Sequence, residues 1–489
     1  MWWWFAANGW SWRENVMREL RLSELADLIR ARIVGDPDTL VGPTVVIDSR
    51  RAEPGSLFVA LPGERVDGHD FVAAAVTGGA SAALVGRELP LAVPQLVVDD
   101  PAEALARLAR GLVDEALEAG LISVAVTGSS GKTSTKDLIA QVLATVGTTV
   151  APVGSQNNEI GVPLTATRVD AGTRFLVSEF GARGLGHIRW LCQVVPPRIG
   201  VVLNVGQAHL GEFGSQAVIA QAKGELVEEL PATGWAVLNA ADPLVAAMAT
   251  RTSARLASFG ASDGPGELRV WAGQVRLDDL SRPAFKLHVT GFVAGSAPVA
   301  LQVSGAHQVE NALAAATVGL LAGLSPAQVA DALSRAKARS RWRMELTDRP
   351  DGVLVINDSY NANPDSMAAA LASLARLRRP DGRLLAILGD MLELGPEAPE
   401  LHRRVGELAA ELGIDQLIVI GDHAEDLAAG ARIGGAGVSM APDRAAALRV
   451  AVDWLRPADA VLVKASRGLA LETVAQALAE GRPTLEVGE

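Results

Sequence analysis

The sequence predicts an α/β protein of three domains: an N-terminal α/β domain, a central domain with a parallel sheet, and a C-terminal Rossmann-like, doubly wound domain. Three observations predict it. Short apolar runs rich in Val, Ile and Leu alternate with stretches of helical spacing along the chain, the pattern of parallel strands buried on both faces. The length of 489 residues suits about three domains. Hydrophobic residues make up 49% and charged residues 20%, so a packed core is expected and disorder is not.

Residues 1–16 stand apart from this pattern. Trp2, Trp3, Trp4, Trp10 and Trp12 are five of the ten tryptophans in the chain. The segment is too short for a signal peptide, and its Arg13 follows the aromatics. It is expected to be a disordered extension, or an upstream start assigned in error with Met17 as the true beginning. The domains are expected at 17–110, 111–336 and 337–489.

In the first domain, Leu22, Leu25, Leu28 and Ile29 give helical spacing over Leu20 to Arg32, with Ser23 as the expected N-cap. Strands are expected at Val45 to Asp48, Leu57 to Ala60, Ala82 to Gly86 and Gln95 to Val98. Ser49 and Arg50 follow the first of these. They read equally as a turn with a solvated charge or as the polar end of a strand gripping an anion. Pro101 to Glu118 reads as a helix leading into the second domain.

The second domain opens on Val-Ala-Val-Thr-Gly-Ser-Ser-Gly-Lys-Thr-Ser-Thr, Val124 to Thr135. Leu121 to Val126 reads as a buried strand and Asp137 to Thr145 as a helix. Strand, glycine loop and helix make a phosphate cradle over Thr127, Gly128, Ser129, Ser130, Gly131, Lys132, Thr133 and Ser134. Loop amides and the helix N-terminus face the phosphates, Lys132 reaches the outer ones, and the hydroxyl after it holds magnesium. Val126 stands where the longer P-loop has its first glycine, so this is the shorter Gly-x-x-Gly-Lys-Thr form. A bound nucleotide with Mg2+ follows from it.

Further polar residues sit at the ends of buried strands. Arg174 to Ser178 ends in Glu179, placed to reach magnesium. Arg198 to Leu203 leads to Asn204 and His209, on the edge where ligands collect in parallel sheets. Lys223 lies on the expected helix Gln216 to Leu230, where a lysine is ordinarily solvated. Gly260 to Ala300 is expected to give antiparallel strands, and Gly305 to Asn311 to open a long helix. Ser325 and Pro326 read as N-cap and first residue of a helix ending near Lys337. Strands at Val353 to Asn357, Leu384 to Leu388, Gln416 to Ile420 and Ala460 to Val463, separated by helices, predict the doubly wound third domain.

The net charge of −12 argues against nucleic acid or an anionic membrane as partner of the surface as a whole. Cys192 is the single cysteine, so no intramolecular disulfide forms and a reducing cytoplasm fits. No apolar run reaches the roughly 18 residues of a membrane span.

Six stretches in register carry a resemblance. They are Thr-Gly-Ser-Ser-Gly-Lys-Thr-Ser-Thr-Lys at 127–136, Asn-Asn-Glu-Ile-Gly-Val-Pro-Leu-Thr at 157–165, Asn-Val-Gly-Gln-Ala-His-Leu at 204–210, Ala-Lys-Gly-Glu at 222–225, Tyr-Asn-Ala-Asn-Pro at 360–364 and Leu-Gly-Asp-Met-Leu-Glu-Leu-Gly at 388–395. From about Met17 to the C-terminus the chain resembles the Mur ligase family. The resemblance implies an N-terminal uridine-nucleotide domain, a central P-loop ATPase domain and a C-terminal ligase domain. It implies an ATP-dependent amide ligase that adds D-alanyl-D-alanine to UDP-N-acetylmuramoyl-tripeptide through an acyl phosphate. It also implies the residues. Lys132 would stabilise the transferring phosphate. Thr133 and Glu179 would hold one magnesium, and His209 and Lys223 a second, with Lys223 able to carry a carbamate. His307 and Asn311 would lie at the adenine. Arg343, with Arg341 as rival, would contact phosphate, and Asp358 the ribose or nucleotide. Ser49 and Arg50 would contact the uridine diphosphate, and Asn157 and Asn158 the muramoyl-peptide, with Tyr360, Asn361 and Asn363 also on the substrate side. A monomer is the expected state. The alternatives are another Mur-type or folylpolyglutamate-type amide ligase, and, in a different class, an ATP-operated switch. Tyr360 to Pro364 favours the dipeptide-adding branch.

Overall fold

The computed structural model describes residues 17–63, 66–206 and 210–485. The tryptophan-rich start and His209 lie outside the described residues. Three main sheets account for the architecture.

The first domain carries a five-stranded sheet in the order Arg32–Val34, Gln95–Val97, Ala82–Val85, Leu57–Val59, Val45–Val46. Its first pair is antiparallel and the rest are parallel. Period-2 alternation places Phe58 and Ala83 in one cluster and Leu57, Val59 and Leu84 in another. The expected helix from Leu20 is shorter, Leu22–Ile29, and Ser23 is not its cap. Ser23 N–H goes to Pro37 O, and the box is closed instead by Glu24, whose carboxylate accepts from Arg21 N–H at 2.7 Å. The expected strand end at Asp48 is the N-cap of a short 3-10 turn, Ser49–Arg51.

The helix Pro101–Glu118 is capped by Asp100, whose carboxylate accepts from the N–H groups of Ala102 and Glu103. Its apolar face packs against Leu22–Ile29 on one side and Gly161–Ala166 on the other. One continuous core therefore runs from Leu25 through Leu108 and Leu112 to Val162 and Leu176.

The central sheet has nine strands. From Thr149–Val150 it runs through Phe175–Glu179, Ile122–Thr127, Ile199–Val202, Trp235–Asn239 and Arg255–Phe259, all parallel. Leu268–Leu277 continues it in parallel, and Pro283–Gly291 and Gly295–Ala300 add an antiparallel meander. Val124 and Val126 face the helices Lys132–Leu143 and Gln308–Leu321, while Ala125 faces the core shared with the first domain. The third sheet has the order Glu345–Asp348, Leu354–Asn357, Ala460–Lys464, Leu384–Gly389, Gln416–Ile420, Gly437–Met440, with only the first pair antiparallel. Leu384, Ala386 and Leu388 point to one of its faces and Leu385 and Ile387 to the other.

Candidate active site

The C-terminal ends of the central strands face the third domain across a cleft of 540 Å3. The phosphate loop forms its floor. The helix after it begins at Lys132, five residues before the expected start. Gly131 is left-handed at φ 78°, and a Cβ there would lie 2.6 Å from Asn311 Oδ1, so this position accepts only glycine. Gly128 is pressed against Leu203, whose Cβ would lie 2.9 Å from a built Cβ. Asn204 holds the loop open from the neighbouring strand: its Oδ1 accepts from the N–H groups of Ser129 and Ser130, both at 2.9 Å. Thr127 Oγ1 donates to Phe180 O, tying the loop to the strand that carries Glu179.

Thr133 is where the groups converge. Its Oγ1 donates to Glu179 Oε2 at 2.7 Å and accepts from Arg343 Nη2 at 2.7 Å. The other carboxylate oxygen of Glu179 accepts from Ser155 Oγ and Asn157 Nδ2, each at 2.8 Å. Burial pushes the Glu179 pKa upward. The charges of Lys132 and Arg343 and the hydrogen bonds from Thr133 and Asn157 outweigh it, and the net direction is down. The group is a carboxylate at neutral pH. Lys132 Nζ donates to Gly128 O at 2.7 Å, and burial lowers its pKa against the opposing pull of Glu179. Lys223 is buried and lines the same cleft. Its pKa is driven well down, first by burial and then by the Lys132 charge.

The third domain supplies the facing wall. Arg343 stacks on Tyr360, 4.2 Å from the ring centroid. Asp358 accepts from Met344 N–H at 3.0 Å and from the buried Lys464 Nζ at 2.7 Å. His307 feels burial, which lowers its pKa, more than the nearby Asp358, which raises it, so its ring is neutral at pH 7. Oxygen groups, amides and cations thus face one another in a cleft of the size that holds a nucleotide.

Family models match along most of the chain. The Mur ligase family catalytic domain covers residues 44–112, the Mur ligase middle domain 126–319, and the Mur ligase glutamate ligase domain 342–467. The UDP-N-acetylmuramoyl-tripeptide--D-alanyl-D-alanine ligase of Mycobacterium tuberculosis is 45% identical over 94% of this chain and 98% of its own. The chain belongs to the Mur ligase family. The ligase of the same name from Escherichia coli is 36% identical over 95% of this chain and 99% of its own. Among solved structures, MurF from Acinetobacter baumannii superposes with a TM-score of 0.83 at 31% identity, covering 95% of this chain and 99% of that one. MurF from Thermotoga maritima in complex with ADP gives 0.73 at 27%, covering 89% and 97%. The α/β fold in three parts is therefore that of the Mur ligases, as the sequence predicts.

Against this Mur ligase frame, the residues named from sequence fall into three groups. Ser129, Ser130, Gly131, Lys132, Thr133, Ser134, Asn157, Asn158, Glu179, Lys223, His307, Asn311, Arg343, Asp358, Tyr360, Asn361 and Asn363 all line the one cleft. Within it some side chains are already committed. Asn158 Oδ1 accepts from Gly161 N–H, Asn363 caps the helix Pro364–Arg376 through Ser366 N–H, and Asn311 Oδ1 accepts from Thr135 Oγ1 at 3.0 Å. Ser49 and Arg50 stay out of the cleft lining, and Arg50 forms an exposed pair with Asp48, Nη2 to Oδ2 at 2.8 Å. Of the rival arginines, Arg343 reaches Thr133 while Arg341 is exposed. Sequence reasoning placed Asn204 on the ligand edge without giving it a role, and gave none to Lys464. Each had a signal: a polar residue ending an otherwise apolar strand.

Proposed function

We propose that the chain is an ATP-dependent amide ligase that joins D-alanyl-D-alanine to the C-terminal carboxylate of UDP-N-acetylmuramoyl-tripeptide. One observation carries the reading: Thr133 Oγ1, directly beside Lys132, donates to Glu179 on a neighbouring strand and accepts from Arg343 of the third domain. The substrate carboxylate oxygen attacks the γ-phosphorus of ATP, the bond to the β-phosphate oxygen breaks, and ADP leaves. The dipeptide amine then attacks the acyl carbon, and the bond to phosphate breaks as the amine sheds its proton. Two anions must meet in the first step. Lys132 and Arg343 lower their repulsion, and Asn204, by taking the Ser129 and Ser130 amides, fixes the loop so that the helix N-terminus after Gly131 faces the phosphates.

The residues fit a magnesium ion. A hydroxyl and an ionised carboxylate 2.7 Å apart are hard oxygen donors of the number that ion takes when phosphates complete its shell. Thr133 and Glu179 would hold it. When bound, magnesium neutralises phosphate charge. Lys223 supports a carbamate for a chemical reason. CO2 adds only to a neutral amine, and burial beside Lys132 favours that form. His209 would complete a second metal position by family resemblance.

We assign uridine-nucleotide binding to residues 17–110, ATP binding to 111–336 and the closing ligase domain to 337–489. His307 and Asn311 are placed at the adenine side and Asp358 at the ribose. Asn157, Asn158, Tyr360, Asn361 and Asn363 are placed toward the muramoyl-peptide and dipeptide, and Ser49 and Arg50 at the uridine diphosphate. A monomer is the proposed working state. No helix among the described residues is long and apolar enough to cross a membrane.

The test is phosphate release from ATP with UDP-muramoyl-tripeptide, with and without D-alanyl-D-alanine. Release that requires the dipeptide and yields pentapeptide is expected. Release indifferent to the dipeptide overturns the ligase reading and favours a nucleotide-operated switch.

A further inference from the structure

The helix after the phosphate loop carries a second polar cluster on the side away from the phosphates. Lys136 is fully buried and donates to Asp137 Oδ1 at 2.6 Å and to Pro152 O at 2.7 Å. Asp137 Oδ2 accepts from Ser340 Oγ at 2.7 Å and from Ser340 N–H at 3.1 Å. One turn on, Gln141 brackets the backbone of Lys337: Nε2 donates to Lys337 O at 3.0 Å, and Oε1 accepts from Lys337 N–H at 3.1 Å. The cluster thus grips the chain between the central and third domains at residues 337 and 340.

Beyond Ser340 the chain changes character. Trp342 and Met344 both have left-handed backbones, at φ 61° and 49°, which side chains other than glycine rarely adopt. Between them Arg343 points back to Thr133. A strained segment holds such a geometry only where both ends are fixed. Met344 N–H is tied to Asp358 on the far side, and Asp137 ties Ser340 on the near side. Through Pro152 the same lysine also steadies the segment leading to Ser155 and Asn157, which hold the outer oxygen of Glu179.

We infer that Asp137, neutralised by Lys136, is a positioning residue: by holding Ser340 it sets Arg343 against Thr133 and the transferring phosphate. The inference rests on the proposed phosphoryl-transfer reading of Arg343. Asp137 touches no reactant. It acts through the linker, as charge-assisted hydrogen bonds to a carboxylate are strong and directional.

A double-mutant cycle tests it. Ser340→Ala and Asp137→Asn are each made in the parent and in Arg343→Ala, with kcat, KM and thermal midpoint measured on the full chain. Ser340→Ala is expected to lower kcat about tenfold, since a small misplacement of a charged group costs that much or more. The KM for UDP-muramoyl-tripeptide stays within about twofold. On the Arg343→Ala background the same change costs nothing further, because the residue it positions is gone. Equal losses on both backgrounds, or parent-level kcat in Ser340→Ala, overturn the inference. Ser340→Ala removes a single hydroxyl, so it decides the matter if Asp137→Asn fails to fold. If Arg343→Ala itself matches the parent, the phosphate-contact reading fails instead.

Discussion

Lys132, Lys223 and Asn204 show three fates of a polar side chain in one cleft. Lys132 is half-buried beside Glu179, which favours its charge. Replacing it with alanine is expected to lower dipeptide-dependent phosphate release at least about a hundredfold, measured with saturating substrates. Asn204 spends one oxygen on two loop amides. Asn204→Ala forfeits roughly 2 kcal/mol of loop order, so the KM for ATP is expected to rise about thirtyfold. Lys223 is buried near a like charge, and its folded-state pKa is depressed well below that of the unfolded chain. The unfolded state therefore binds more protons between those two values, and stability rises with pH across that window. Lys223→Met removes the burdened amine. It is expected to abolish activity yet raise the urea midpoint at pH 6, with the gain shrinking as pH climbs toward 10. A lower midpoint at pH 6 would refute this. The carboxylates and lysines at strand ends were readable as residue types. Which of them were charged was not, because that depends on neighbours distant in sequence.

Helices and strands were legible wherever apolar spacing was long. Pro101–Glu118 and Gln416–Ile420 have the expected bounds. The misses share a cause. The helix at Lys132 begins in Lys-Thr-Ser-Thr, which has no apolar period; the preceding strand and Gly131 start it instead. Glu345–Asp348 and Gly437–Met440 are edge strands, half-exposed and paired on one side only, so their sequences carry little signal. Asn363 illustrates an element doing double duty. It caps Pro364–Arg376 through Ser366 N–H at 2.8 Å while lining the cleft. Asn363→Ala is expected to cost about 1 kcal/mol in denaturant unfolding through the lost cap. Asn363→Ser should recover most of that stability. A restored midpoint with activity still depressed would separate the cap from any contact to substrate.

Across the whole molecule, the reacting groups come from separate bodies. Lys132, Glu179 and Lys223 ride on the central sheet and its helices, while Arg343, Asp358 and Tyr360 arrive with the third domain. The two parts touch again where Gly211 N–H donates to Glu393 O at 3.2 Å. A site assembled this way is completed by approach of the third domain. Small-angle scattering is expected to show a smaller radius of gyration with an ATP analogue and both substrates than without; an unchanged radius would count against closure. The shared core from Leu25 to Leu176 argues that the first domain moves less against the central one.

The sequence by itself determined the α/β class, the phosphate loop and the order of the polar strand ends, because each is written in local spacing: period-2 and period-3.6 apolar runs, and glycines beside a lysine. Only the tertiary structure decided that Arg343 rather than Arg341 meets Thr133, that Asn204 props the loop, and that Asp137 grips Ser340. Those contacts join residues as many as 210 positions apart. No local pattern encodes such a distance; packing of the domains does.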